Sequence, residues 1–241
     1  MSIVNTLTLE SNRQIKINFD GGNLSSDAGL LLIKEFAAKI GFTKLIKKKF
    51  KTNDEAVRFH KDAENLLQMI YQVISAYFQD DCADELTLDP VFLAVLGKES
   101  LASQPTLSRF FNRMDEDTLV QFDDIDKNLR DIIYSIKCPE HVLLDLDSTL
   151  LGTYGRQEGE GFNFHYQAHG YHPLLCYDGL TGDLLKAELR NGTLHCSNGA
   201  DKFMESIFQE YMERGLKTYL RGDSGFSSPK LYETCESNGC S

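Results

Sequence analysis

The residues of this 241-residue chain best suited to chemistry are two aspartates, each closing a short apolar run. One run is Val142-Leu143-Leu144-Asp145-Leu146-Asp147-Ser148-Thr149, the other Leu220-Arg221-Gly222-Asp223-Ser224-Gly225-Phe226. Apolar runs of this length read as buried strands, so each carboxylate falls at a strand end. Hard cations such as Mg²⁺ take oxygen ligands in a fixed, partly dehydrated geometry. A pair of them held by carboxylates on adjacent strands can clamp the attacking and leaving oxygens of a phosphodiester. Two carboxylates a few ångströms apart otherwise repel, and cations between them relieve that repulsion. The residue types therefore point to phosphoryl transfer with Asp147 and Asp223 as metal ligands, provided the fold makes their strands neighbours.

The elements around them divide the chain. Gln14 to Phe19 alternates polar and apolar residues, the period of a half-buried strand, and Asp20-Gly21-Gly22 breaks it. Ser25-Ser26-Asp27 offers N-cap oxygens to a helix over Gly29 to Ile40, with apolar positions 30, 31, 33, 36, 37 and 40 at helical spacing and Gly41 as its stop. Further helices are predicted over Ala63 to Phe78, Pro90 to Leu96, Pro105 to Arg113 and Asp115 to Ile136. After Cys138-Pro139 the pattern turns to strands at Val142 to Leu146, Phe162 to Tyr166, Leu174 to Tyr177 and Leu184 to Leu189. A helix over Asn198 to Arg214, a strand over Lys217 to Leu220 and a helix over Lys230 to Glu236 follow. The expected fold class is α/β: a mainly helical region, residues 1–136, then a mixed-sheet region, residues 137–241, with three antiparallel strands, a crossover helix and a further strand. That order is the order of an RNase H-like core, in which the first and fourth strands lie side by side and bring Asp147 to Asp223.

Six motifs, in order, carry a resemblance over nearly the whole chain. They are Asp20-Gly21-Gly22-Asn23-Leu24-Ser25-Ser26-Asp27-Ala28-Gly29-Leu30, Ser103-Gln104-Pro105-Thr106-Leu107-Ser108-Arg109-Phe110, and Asp145-Leu146-Asp147-Ser148-Thr149. Tyr166-Gln167-Ala168-His169-Gly170-Tyr171-His172-Pro173-Leu174, Arg190-Asn191-Gly192 and Arg221-Gly222-Asp223-Ser224-Gly225-Phe226 complete the set. In these the chain resembles the DDE-type transposases of bacterial insertion sequences, of the group-1 DDE domain class. The resemblance implies an enzyme that cuts and joins DNA with Mg²⁺ or Mn²⁺, acting on the terminal inverted repeats of its element and on target DNA, as a dimer with itself or with a full-length transposase. Asp147 becomes the first catalytic acid and Asp223 the second. The family's third acid is a Glu on a later helix. Glu233 and Glu236 stand too close to Asp223 for that role, so the resemblance implies a C-terminally shortened copy. Such a copy would either retain strand cleavage and transfer or bind DNA or a full-length transposase without cutting. A generic two-metal nuclease is the remaining reading.

Other assignments compete for the same residues. Asp145 faces the same side of its strand as Asp147 and could be the ligand, but it sits deeper in the apolar run. His165, His169, His172 and Cys176 are zinc-ligand types, yet their spacing in a strand region does not make them converge. Gly222-Asp223-Ser224-Gly225 has the look of a serine-protease nucleophile loop but lacks the positioned His and buried Asp. Asn191-Gly192-Thr193 fits a glycosylation acceptor, which a cytoplasmic setting makes irrelevant.

Composition bounds the partners. The chain is 41% hydrophobic and 25% charged, the balance of a globular protein, and has no apolar run long enough to span a membrane. A cytoplasmic, nucleoid-associated setting with no membrane partner is expected. Its six cysteines form no CxxC pair, so neither a zinc ribbon nor a disulfide framework is indicated. The net charge of -11 opposes generic binding to phosphates, so DNA contacts must be local. Lys44-Leu45-Ile46-Lys47-Lys48-Lys49-Phe50-Lys51 concentrates basic residues, and Lys47, Lys48 and Lys49 could touch DNA or simply form a solvated helix end. Arg109 and Arg113, one helical turn apart, could lay two guanidinium groups along a backbone. Tyr154, Arg156, His169, His172 and Arg190 complete the candidate DNA contacts.

Overall fold

The computed structural model describes residues 6–18 and 25–241. The predicted break at Asp20-Gly21-Gly22, the final residue of the strand before it, and the first five residues of the first motif lie outside the described residues. The chain divides into two compact units, Met1–Ile132 and Ile133–Ser241. Among the described residues no helix is long and apolar enough to cross a membrane, and all six cysteines are free.

The first unit opens with a hairpin of β1 (Thr6–Thr8) and β2 (Lys16–Asn18), paired antiparallel. Helices α1 (Leu30–Lys39), α2 (Phe42–Lys49), α3 (Asp62–Ile74), α4 (Cys82–Glu85), α5 (Pro90–Leu96), α6 (Gln104–Phe111) and α7 (Glu116–Ile136) follow, the last running across the division. The predicted cap of α1 is not made. Gly29 occupies the N-cap without a side-chain bond, because the Asp27 carboxylate accepts from the Tyr77 hydroxyl at 3.0 Å instead. Gly41 does end α1, its φ of 74° being a conformation that a β-carbon disfavours. At α5 the local chemistry is complete: Asp89 accepts from the Val91 and Phe92 amides, both at 2.9 Å, and Pro90 takes the first turn, where its missing N–H is no loss. Three apolar clusters hold these helices, the smallest of Ala83, Ala102 and Leu107. Leu9, Leu30, Leu31, Tyr71 and Phe92 belong to another, and Ile46, Phe50, Leu66, Phe110 and Ile125 to the third.

The second unit is built on a four-stranded sheet. Strand β3 (His141–Ser148) leads through a small sheet of β4 (Leu151–Gly152), β5 (Gly161–Asn163) and β6 (Ala168–Tyr171) to β7 (Leu174–Asp178) and β8 (Leu184–Glu188). Helix α8 (Ala200–Glu213) crosses to β9 (Lys217–Gly222), then come a 3-10 turn, Ser224–Phe226, and α9 (Pro229–Ser237). The sheet order is β8-β7-β3-β9, with β3 antiparallel to β7 and parallel to β9. Three antiparallel strands followed by a helical crossover to a parallel neighbour of the first is the RNase H-like order. A parallel pair requires such a crossover, because a tight turn cannot reverse the chain twice. The predicted strand Phe162 to Tyr166 is cut to Gly161–Asn163, since Asn163 Oδ1 turns the chain by accepting the His165 and Tyr166 amides at 3.0 and 3.1 Å. Val142, Leu144, Leu146, Leu174 and Cys176 pack against Phe203, Met204, Ile207, Phe208 and Tyr211 of α8 and Leu231 of α9. Each fully buried side chain of this size stabilises the fold by roughly 1.5–3 kcal/mol. The outer edge of β9 is met by Ser241, whose N–H donates to Thr218 O at 3.2 Å and whose carbonyl accepts from the Leu220 amide at 2.9 Å.

Candidate active site

Burial along β3 alternates residue by residue. Val142, Leu144 and Leu146 therefore enter the core under α8, and Asp145 and Asp147 face the other side. In the parallel pairing Asp145 stands opposite Arg221 and Leu146 opposite Gly222. One step further along both strands are Asp147 and Asp223, side by side and exposed. Sequence-distant carboxylates thus become neighbours through register alone.

The three aspartates differ in their partners. Asp145 is gripped by Arg221, whose Nε donates to Oδ1 at 2.5 Å while Nη2 donates to Oδ2. The hydrogen bond and charge of Asp145 raise the Arg221 pKa still further, and bidentate pairs of this kind fix geometry as well as charge. Asp147 Oδ1 accepts the Ser148 amide at 2.7 Å, and Asp223 Oδ1 caps the 3-10 turn by accepting the Gly225 amide at 2.8 Å. Neither makes an ion pair among the described residues. Asp145 is neutralised, which leaves Asp147 and Asp223 as the adjacent carboxylates without a cation.

A loop after β8 supports both acids. Arg190 is buried, its Nε donating to His172 O at 3.0 Å and its Nη1 to Asn198 O at 2.5 Å. Burial lowers its pKa. His172 Nδ1 donates to Leu194 O at 2.8 Å, so Nε2 is the acceptor for the Ser148 hydroxyl at 3.1 Å. From the same loop Cys196 packs on Gly225, where a β-carbon would lie 2.6 Å from Sγ. Asp147 is braced through Ser148, and Asp223 through Gly225.

Several of the candidate DNA contacts are engaged within the protein. Arg190 and His172 are buried, Arg190 bonded to backbone carbonyls and His172 to the Ser148 hydroxyl. Arg113 is tied to Asp62 at 2.7 Å and approaches Asp54 at 3.5 Å, so the pair with Arg109 is not free to track phosphates. Lys49 is held by Asp124 at 2.5 Å. Lys47, Lys48, Arg109, Tyr154 and Arg156 are exposed, as is His169, which pairs with Glu160 at 2.8 Å. Cys176 is in the core, apart from the exposed His165 and His169, and no group of three or more His, Cys, Asp or Glu among the described residues is placed to hold a metal. Sequence reasoning missed Arg221 as the partner of Asp145, although the Arg sits two positions before Asp223 just as Asp145 sits two before Asp147. It also missed the Ser148 to His172 brace, which no local spacing reveals.

The donor set suits divalent cations. Asp147 and Asp223 present hard oxygens, and among the described residues Oδ2 of each accepts no hydrogen bond. The pair makes a sheet-borne site of two carboxylates. Residues 7–241 match the family described as Transposase DDE domain group 1, and the chain belongs to that family. Family membership implies use of divalent metal. Among solved structures, the catalytic domain of Mos1 mariner transposase aligns at 12% identity over 52% of this chain and 58% of that one, with a TM-score of 0.29. A piggyBac transposase synaptic complex with hairpin DNA aligns at 16% identity over 86% of this chain and 47% of that one, with a TM-score of 0.37. The Mos1 mariner paired-end complex with Mn aligns at 12% identity over 92% and 68%, with a TM-score of 0.28. The chain thus spans about half the length of the first two. No curated relative matches it.

Proposed function

We propose that the protein is an insertion-sequence transposase component that acts on DNA by phosphodiester hydrolysis and strand transfer. The observation that carries this is the juxtaposition of Asp147 and Asp223 at the ends of two parallel, directly paired strands, with the intervening acid Asp145 neutralised by Arg221. Asp147 and Asp223 would hold Mg²⁺ or Mn²⁺, which when bound supplies Lewis-acid stabilisation of the oxygens that attack and leave phosphorus. The protein's own part is positional. The Ser148 and Gly225 amides orient the two carboxylates, and the buried Arg190 to His172 to Ser148 chain keeps the end of β3 from shifting. Exposed Lys47, Lys48, Arg109 and Arg156 would contact the DNA backbone, which positions the duplex without reading sequence. Terminal inverted repeats and target DNA are the substrates this reading requires, with a second copy or a full-length transposase as the partner in assembly.

A second reading, DNA binding without cutting, is favoured by one observation: only two carboxylates converge, and no third acid joins them among the described residues. One experiment separates the readings. The protein is incubated with a plasmid carrying the inverted repeats in Mg²⁺ and then Mn²⁺, with cleavage read on gels and binding by mobility shift. Cleavage at the repeats that vanishes in Asp147→Ala supports the transposase. Retardation without cleavage supports the binding-only reading, and cleavage indifferent to the repeats identifies a general nuclease.

A further inference from the structure

Two of the six cysteines are brought together by a turn. Helix α9 ends at its cap residue Asn238, and Gly239, with a φ of 69°, reverses the chain. The Gly239 amide donates to Glu236 O at 3.1 Å and the Cys240 amide to Cys235 O at 2.9 Å. This double closure is the Schellman arrangement, which sets the residue after the glycine against the one three positions before the cap. Here both are cysteines. They are 7% and 6% exposed and belong to the same apolar cluster as Tyr211 and Leu231.

The two thiols share a hydrogen bond. That bond, aided by the Thr218 hydroxyl, holds Cys240 below the ordinary thiol value against the opposing effect of burial. The same bond raises Cys235, and burial adds to the rise. One sulfur is therefore the readier nucleophile while the other keeps its proton, which is the division between an attacking and a resolving cysteine. Cys240 lies just beneath the surface, since Gly239 and Ser241 on either side of it are exposed. The turn is also tied to the sheet. Ser241 bonds to Thr218 and Leu220 of β9, the strand that leads into Asp223.

We propose that Cys235 and Cys240 form a reversible disulfide on exposure to peroxide, locking the end of α9 to the edge of β9. Burial admits an oxidant close to the size of water more readily than a bulky disulfide. The Cys240 thiolate attacks one peroxide oxygen, the O–O bond breaks, and hydroxide leaves with Cys240 as the sulfenic acid. Cys235 then attacks that sulfur, the S–O bond breaks, and the hydroxyl departs as water with the Cys235 proton. The first hydroxide takes up the proton that Cys240 had lost. Two thiols and one peroxide thus give one disulfide and two waters, with two electrons passing from sulfur to oxygen. A dithiol reductant reverses the bond by exchange. Closing residues 235–240 covalently removes the freedom of the turn to open, and with it the route by which Ser241 leaves β9.

The test starts from the fully reduced chain, treated with hydrogen peroxide at neutral pH. Remaining thiols are alkylated and the unreduced peptides mapped by mass spectrometry. A species linking Cys235 to Cys240, lighter by two hydrogens, should accumulate while the exposed Cys138 is still alkylated, and dithiothreitol should restore both thiols. Hydrogen exchange at the Leu220 and Ser241 amides should be at least about tenfold slower in the oxidised form, the scale of a disulfide closing a short loop. Cys235→Ser should stop Cys240 at the sulfenic acid, captured by dimedone, whereas Cys240→Ser should leave Cys235 unmodified. The wild-type link is read without any variant, so a serine that loosens the buried turn leaves the test intact. Peroxide that carries Cys240 to the sulfinic acid with no link, joins Cys235 to another cysteine, or spares both thiols while Cys138 is consumed overturns the proposal. A link that leaves exchange at Leu220 and Ser241 unchanged overturns the lock on β9.

Discussion

In the helical unit the partly buried charges close on one another: Arg113 on Asp62, Lys98 on Glu64, Lys49 on Asp124. In the sheet unit one such pair, Asp145 with Arg221, stands beside two carboxylates that receive only backbone amides. Adjacent like charges without a cation are unfavourable in a folded protein, and a structure that tolerates them does so where a ligand will supply the countercharge. Under the proposed function the same residue type is structural in one unit and chemical in the other. The distinction lies in whether a guanidinium or ammonium reaches it.

The sharpest way to break that comparison is to remove an unpaired acid. Asp147→Ala or Asp223→Ala should lower metal-dependent DNA cleavage at least about a thousandfold, equivalent to several kcal/mol of lost charge stabilisation. Unfolding stability should stay within about 0.5 kcal/mol of wild type in Asp147→Ala and fall by about 0.5–2 kcal/mol in Asp223→Ala, which loses the cap of the 3-10 turn. A variant that loses activity only by unfolding would return these aspartates to a structural role. Next in size, Leu144→Ala beneath the site and Phe92→Ala in the helical unit should each cost about 2–5 kcal/mol by opening a cavity, measured by denaturant unfolding. Equal losses would show that the units differ in their charges and not in their dependence on a packed core.

Smaller effects should separate paired from unpaired cations in the helical unit. Arg113→Ala should destabilise by about 1–3 kcal/mol, because it strands the Asp62 carboxylate. Arg109→Ala should stay within about 0.5 kcal/mol, and any loss of DNA affinity in it would be a binding effect. Asp62 also predicts a pH dependence. Burial alone would raise its carboxyl, but hydrogen bonds from Thr52 and Arg113 outweigh that and hold it below the ordinary value. A depressed folded pKa gives stability that is present above the unfolded pKa of about 3.9 and is lost as pH falls through the lower, folded value. The Tm gap between wild type and Asp62→Asn should therefore be full at neutral pH and close below about pH 4. A gap that persists there would mean the carboxylate is not the source of the stability.

Much of the frame was legible in the chain. The helix over Pro90–Leu96 carries its Asp cap, its first-turn proline and its closing glycine in sequence, and its observed bounds are those predicted. The helix after Ser25-Ser26-Asp27 was placed, but its cap was not, because Tyr77, distant in sequence, takes the Asp27 carboxylate. The strand over Phe162 to Tyr166 shortened because a single Asn competes with the ladder for two amides, a local contest that apolar periodicity does not register. Arg190 and His172 read as polar residues near the acids. Their burial and inward hydrogen bonds were not legible, because both depend on a loop distant in sequence.

Local spacing by itself determined that Asp147 and Asp223 end apolar strands and that Asp145 and Asp147 share a face, because side chains alternate with a period of two. It also determined the order of strands and crossover helix, since hydrophobic periodicity is a property of neighbours in the chain. Which carboxylates remain without a cation was decided by the tertiary structure alone. Parallel register sets Arg221 opposite Asp145 and Asp147 beside Asp223, and that pairing of segments far apart in sequence depends on α8 burying its apolar face against the sheet.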